Sequence, residues 1–144
     1  MIGEHSVAQI ERIKLSFPAS RRYVGLVGAV VQELCQLVPG VPSSTRYNIQ
    51  LAVDEATINV ITHAYGEDPG GIVDMTFEVW ADRLVIQIRD WGQSFDPSTI
   101  PEPPPDQPHS RGLGISLMRR LMDQVIYEQG TQEGNCVTLI KRIA

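Results

Sequence analysis

Residues 55–65 read Glu-Ala-Thr-Ile-Asn-Val-Ile-Thr-His-Ala-Tyr and contain three polar side chains, Glu55, Asn59 and His63, at four-residue intervals. Residues at this spacing lie on one face of a helix. Apolar residues recur around them, which predicts a helix over about residues 45–65 with most of its circumference buried. Such a helix exposes a single polar stripe made of a carboxylate, an amide and an imidazole. The stripe either faces water, as in most amphipathic helices, or lines a binding site.

Two strands are predicted after this helix. Residues 73–79 and 84–88 alternate apolar with polar side chains, which indicates a hairpin of strands following a turn at 68–71. Asp90 follows in the alternating series of residues of the second strand that point inward. Its carboxylate is therefore expected to point toward the core and to need a hydrogen-bond donor. The exocyclic amine of adenine is one such donor, and a capped turn at the strand end is the simpler alternative. Gly92 permits a close backbone approach at this point.

Residues 93–110 contain six prolines and no hydrophobic periodicity, which excludes a helix or a central strand. Long structureless segments inside compact domains are usually lids, binding loops or disordered segments. Gly112-Leu113-Gly114 follows directly before a predicted helix, where unpaired backbone amides bind phosphate readily. A Gly-x-Gly sequence is also typical of an ordinary hinge.

The remaining elements complete the predicted fold. They are a strand at 13–17, a helix from Ser20 to Pro39-Gly40, and strands at 125–127 and 136–142. The order of strand, two helices, two strands, loop, helix and two strands predicts an α+β two-layer sandwich, with a mixed, mostly antiparallel sheet covered on one face by helices. Thr138 shares a strand face with Cys136 and Ile140, so its hydroxyl is expected to face the core. The absence of repeats and linkers predicts one domain over residues 1–144.

Composition and charge argue against several classes of function. The chain has 144 residues, a net charge of −5 and a pI near 5.1, which argue against general binding to nucleic acid. No segment resembles an export signal or a membrane span, so we expect a cytoplasmic protein that contacts no membrane. The two cysteines lie far apart, and Cys35 falls on the apolar stripe of a predicted helix, which fits a reducing compartment.

In combination and order, these motifs resemble those of the histidine-kinase-like ATPases, which share the Bergerat ATP-binding fold. Glu55-x-x-x-Asn59-x-x-x-His63-Ala64-Tyr65 is similar to the N box of the family, Asp90-x-Gly92 to its first glycine box and Gly112-Leu113-Gly114 to its second. The proline-rich stretch, about 93–111, corresponds to the ATP lid. The resemblance covers nearly the whole chain.

Within the superfamily, the chain is most similar to the anti-sigma-factor serine/threonine kinases. The compact length, Phe17-Pro18-Ala19 at the end of the first strand and Phe95-Asp96-Pro97 after the first glycine box carry this resemblance. Ser94 departs from the pattern, because many members of the superfamily have a second glycine there.

The resemblance implies a role for each matching position. Asn59 would bind Mg²⁺ that bridges the phosphates of ATP, and Glu55 would be the catalytic general base. Asp90 would accept the adenine amine, with Thr138 nearby through water. Other ATP-binding positions would be the phosphate contacts His63 and Arg111, together with Gly92, Gly112, Leu113 and Gly114.

The implied function is that of an ATP-dependent serine/threonine protein kinase that regulates transcription as an anti-sigma factor. Its partners would be a small anti-sigma-factor antagonist, which is phosphorylated, and a sigma factor, which is sequestered; the resemblance also implies a homodimer. Two alternatives stay open. One is an ATP-gated binding module with little or no kinase activity, and the other is an α+β scaffold that binds no nucleotide.

Overall fold

The computed structural model describes residues 9–68, 70–99 and 113–143. The strands and helices are β1 Gln9–Pro18, α1 Val24–Cys35, α2 Ser43–Asn59, β2 Ile72–Trp80, β3 Arg83–Asp90, α3 Leu113–Leu121, β4 Gln124–Thr131 and β5 Gly134–Arg142. This order is the one that the hydrophobic patterns predict. None of the helices in these residues is long and apolar enough to cross a membrane.

The five strands form one sheet in the order β1-β2-β3-β5-β4. Every strand pairing among the described residues is antiparallel, whereas the sequence predicted a mixed, mostly antiparallel sheet. The helices contribute to one core on one face of this sheet, which confirms the α+β two-layer architecture. The core includes Val27 and Val31 of α1, Ile49 and Val53 of α2, Met118 of α3, and Phe77, Ile86, Ile88 and Leu139 of the sheet.

The two cysteines are both free and buried. Cys35 ends α1 and belongs to the core cluster, as its position on the apolar stripe predicted. The chain enters α1 through a short 3₁₀ turn over Arg21–Tyr23, where the Ser20 hydroxyl accepts a hydrogen bond from Arg22 N at 3.4 Å. Ser20 therefore caps the 3₁₀ turn that leads into α1.

The helix predicted over 45–65 is not one regular α-helix. It is α-helical from Ser43 to Asn59 and continues as a π-helical turn over Val60–Ala64, in which Tyr65 N donates to Val60 O at 3.3 Å. A π turn holds more residues than an α turn and shifts the side chains that follow it. Glu55 and Asn59 thus share an α-helical face, while His63 lies beyond the change of helix type.

Tyr65 ties the end of this helix to two strands. Its hydroxyl donates to Ile72 O at 2.7 Å, at the start of β2, and accepts from Trp91 N at 2.8 Å, just after β3. The ring packs so closely on Gly71 and Gly92 that a Cβ atom at either position would overlap it. Tyr65 therefore fixes the end of β3 relative to α2.

Tyr65→Phe should reduce the free energy of unfolding by about 1–3 kcal/mol, because it keeps the ring contacts and removes both hydrogen bonds. Urea denaturation measures this change. Tyr47→Phe is the matched control, since Tyr47 is 63% exposed, and its effect should be within about 0.5 kcal/mol. Equal stability of both variants would show that the Tyr65 hydroxyl does not hold these elements together.

Candidate nucleotide-binding site

The first turn of α3 lies against the polar stripe of α2. A Cβ atom at position 114 would lie 2.6 Å from Glu55 Oε2 and 3.6 Å from Asn59 Nδ2. Only glycine allows this approach without displacing Glu55. The fold thus brings Gly114 to Glu55 and Asn59, which are far from it in sequence.

Asn59 presents an unsatisfied amide at this contact. Its side chain is partly buried, and Nδ2 is buried without a hydrogen-bond partner among the described residues. An unpaired buried donor costs about 1–3 kcal/mol, so this position favours a bound group that accepts a hydrogen bond, such as a phosphate oxygen. The described residues contain no cluster of three or more His, Cys, Asp or Glu side chains that would hold a metal alone. A metal at Asn59 would need further oxygen ligands from a bound molecule, as Mg²⁺ takes from phosphates.

Asp90 ends β3 and is only 3% exposed, which confirms that its carboxylate points into the core. Gly92 N and Asn135 Nδ2 both donate to its Oδ1, at 3.0 and 2.8 Å. Oδ2 accepts no hydrogen bond from the residues that the structure describes. Burial raises the pKa of Asp90, and the hydrogen bonds from Asn135 and Gly92 oppose this rise only in part. One carboxylate oxygen is therefore held by the protein and the other is left for a donor.

Gly92 is required where the chain leaves β3. A Cβ atom at this position would overlap the carbonyl group of Ala64, and the next residue, Gln93, donates from N to Ala64 O at 2.7 Å. The end of the π-helical turn and the start of the lid are thus in direct contact. This confirms the close backbone approach predicted at Gly92.

His63 contacts the first residues of the lid. Its ring centroid lies 5.6 Å from that of Phe95, which lies 5.9 Å from that of Tyr127. Tyr127 is partly buried in this stack, and burial raises its pKa to about 12. The phosphate contact that the family resemblance implies for His63 stays a prediction.

Thr138 lies on the wrong side of the sheet for the predicted role. It pairs with Gln87, on the face that carries Arg89, whereas Asn135 pairs with Asp90 on the face toward the helices. Alternate residues of a strand point to opposite faces, so Thr138 cannot share a water with Asp90. The predicted strand began at Cys136, one residue too late to include Asn135, which has the same parity as the core residues Val137 and Leu139.

Part of the predicted site lies outside the described residues. Arg111 and Gly112 belong to that part, as does most of the predicted lid, of which 93–99 is described. This beginning of the lid includes a 3₁₀ turn at Pro97–Thr99. Leu113 is the first residue of α3, directly before the glycine that contacts Glu55.

Comparison with known proteins agrees with this geometry. Residues 17–141 match the model of the histidine kinase-like ATPase domain family. The chain is 35% identical to the serine-protein kinase RsbW of Bacillus subtilis (strain 168) over 122 residues, which cover 78% of this chain and 75% of that protein. It is also similar to the proteins of the same name from Halalkalibacterium halodurans (35% identity, 83% of this chain and 76% of that protein) and Oceanobacillus iheyensis (28%, 96% and 90%). The chain therefore belongs to the histidine kinase-like ATPase family, in the group that contains the RsbW serine-protein kinases.

Proposed function

We propose that this chain is an ATP-dependent serine/threonine protein kinase whose active site lies between α2, the end of β3 and the start of α3. The observation that carries the proposal is the contact of Gly114 with Glu55 and Asn59. It brings a carboxylate, a side-chain amide and the amino-terminal end of a helix to one place. Membership of the family implies the use of ATP.

The adenine end of the site is Asp90. Its Oδ2 would accept the exocyclic amine of the base, because Oδ1 is already occupied by Gly92 N and Asn135 Nδ2. A hydrogen bond to a buried carboxylate is stronger than one between neutral groups. Gly92 lets the backbone pass against Ala64 and Tyr65, which places its N–H on Asp90 Oδ1.

The phosphate end is formed by Asn59 and the start of α3. The Asn59 amide would supply an oxygen ligand to Mg²⁺, and the backbone amides of the first turn of α3, at Leu113 and Gly114, would face the phosphates. We expect Arg111 and Gly112 to extend this cradle. Bound Mg²⁺ would offset the negative charge of the phosphates during transfer.

Glu55 lies one helical turn before Asn59 and would act as the general base. An acceptor serine or threonine hydroxyl would transfer its proton to the Glu55 carboxylate as its oxygen attacks the γ-phosphorus. The bond from the γ-phosphorus to the bridging oxygen breaks, and ADP leaves with the electron pair. The products are ADP and the phosphorylated acceptor, and Glu55 later returns its proton to solvent.

The kinase needs a protein that accepts the phosphoryl group. The relatives are named serine-protein kinases, which supports a protein as the phosphoryl acceptor. We expect this acceptor to be a small anti-sigma-factor antagonist, the competing partner to be a sigma factor, and the kinase to be a cytoplasmic homodimer formed from one domain over residues 1–144. An ATP-gated binding module without transfer is the alternative that the experiments below distinguish.

Asp90→Asn should weaken ATP binding by roughly tenfold to a hundredfold, because the amide offers the adenine amine a weaker acceptor and disturbs the bond from Asn135. Calorimetric titration with ATP measures the change. Thr138→Ala, on the opposite sheet face, is the control and should bind like the wild type. Equal affinity of Asp90→Asn and the wild type would remove Asp90 from the site.

Asn59→Ala should abolish the gain in ATP affinity that Mg²⁺ gives to the wild type, because the metal loses its oxygen ligand on the protein. The titration is done with Mg²⁺ and with EDTA. In EDTA the variant should bind ATP about as well as the wild type does. A Mg²⁺-dependent gain that survives the substitution would place the metal elsewhere.

Glu55→Gln should lower the rate of phosphoryl transfer by about 10²–10⁴-fold while ATP binding is retained. The assay follows radiolabelled phosphate from ATP to candidate antagonist proteins. Asp54→Asn is the matched control, since a Cβ atom on Gly28 of α1 would lie 3.3 Å from Asp54 Oδ1, so that Asp54 faces away from the site. Absence of transfer by the wild type, with ATP bound and partner affinity changed by ATP, would favour the binding module.

A further inference from the structure

Asn135 is the centre of a buried hydrogen-bond network beside the proposed adenine site. It is 2% exposed, and its Nδ2 donates to Asp90 Oδ1 at 2.8 Å and to Gly92 O at 3.1 Å. Its Oδ1 accepts from Gly130 N at 2.7 Å. One side chain thus joins the end of β3, the start of the lid and β4.

The hydrogen bond from Gly130 N distinguishes the oxygen of the Asn135 amide from its nitrogen. A backbone N–H only donates, so the atom facing Gly130 must be the oxygen, and the nitrogen must face Asp90. Gly130 has a φ of +69° and lies where the register of β4 against β5 shifts, between Glu128 and Thr131. This irregularity directs the Gly130 N–H at the Asn135 side chain.

The network determines how Asp90 presents its second oxygen. Two donors, Asn135 Nδ2 and Gly92 N, hold Oδ1 as an acceptor, so a proton on this carboxyl group would have to sit on Oδ2. The Asn135 donor stabilises the ionised carboxylate and opposes that protonation. Oδ2 is thereby kept as an acceptor with a fixed direction.

We propose that Asn135 is a positioning residue that makes the nucleotide site selective for a 6-aminopurine over a 6-oxopurine. This inference rests on the proposed ATP-binding function. The amine of adenine donates to an Oδ2 acceptor, whereas the O6 atom of inosine or guanine nucleotides is itself an acceptor and is repelled. Without the Asn135 donor, the carboxyl group can rotate or carry a proton on Oδ2, which then donates to O6.

The test compares ATP with ITP, which carries an oxo group in place of the amine. Dissociation constants are measured by calorimetry for the wild type, Asn135→Ala and Asn135→Leu, and the KM and kcat of phosphoryl transfer are measured for both nucleotides. Leucine fills the space of asparagine without a donor, while alanine leaves a cavity. The thermal midpoint of each variant reports the packing effect separately. Thr138→Ala, on the same strand and the opposite face, is the matched control.

The wild type and Thr138→Ala should prefer ATP over ITP by roughly tenfold to a hundredfold. In both Asn135 variants the preference for ATP over ITP should fall to within about threefold, because the hydrogen bond between the adenine amine and Asp90 is weakened. This fall should be the same whether or not the variant has a lower thermal midpoint. The weaker binding of ATP should raise KM for ATP more than it lowers kcat, because the residues proposed to act in phosphoryl transfer, Glu55 and Asn59, lie on α2.

Full preference in Asn135→Leu would overturn the inference, as would an equal loss of preference in Thr138→Ala. The inference would also be overturned if the preference for ATP fell only in the variant with the lower thermal midpoint, that is, in Asn135→Ala and not in Asn135→Leu. That result would mean that Asn135 acts through packing alone. A wild type that binds neither nucleotide would instead refute the proposed function.

Discussion

A carboxylate buried at the end of β3 constrains everything around it. Asp90 is tolerated in the core because Gly92 N and Asn135 Nδ2 satisfy one of its oxygens. The Gly92 donor needs a glycine, because a Cβ there would overlap Ala64, and the Asn135 donor is oriented by Gly130, whose positive φ favours glycine. The cost of burying the charge is thereby offset, and the second oxygen remains available to a ligand.

The two ends of the site are built differently. The Asp90 end lies within the sheet and is fixed by the last pair of β3 and β5 and by the Tyr65 hydroxyl. The Asn59 end depends on the contact of α2 with the first turn of α3. At this contact a Cβ atom on Gly114 would overlap the Glu55 carboxylate. The base-binding end is therefore held by strand pairing, and the phosphate-binding end by a contact between two helices.

Alternation and helical spacing were enough to predict the order of elements, the coreward direction of Asp90 and the shared face of Glu55 and Asn59. They did not predict the π-helical turn at Val60–Ala64, because nothing in the local pattern of apolar residues distinguishes it from an α turn. They placed Thr138 on the wrong face, because the true partner of Asp90, Asn135, is polar and was left outside the strand. The contact of Gly114 with Glu55 joins distant segments, so its geometry required the fold.

The most direct measurement is a crystal structure with a non-hydrolysable ATP analogue and Mg²⁺. We expect the adenine amine within hydrogen-bond distance of Asp90 Oδ2, the metal bound to the Asn59 side-chain oxygen, and the γ-phosphate beside Glu55 and the first turn of α3. An analogue bound with its base away from Asp90, or with its phosphates away from Asn59, would contradict it.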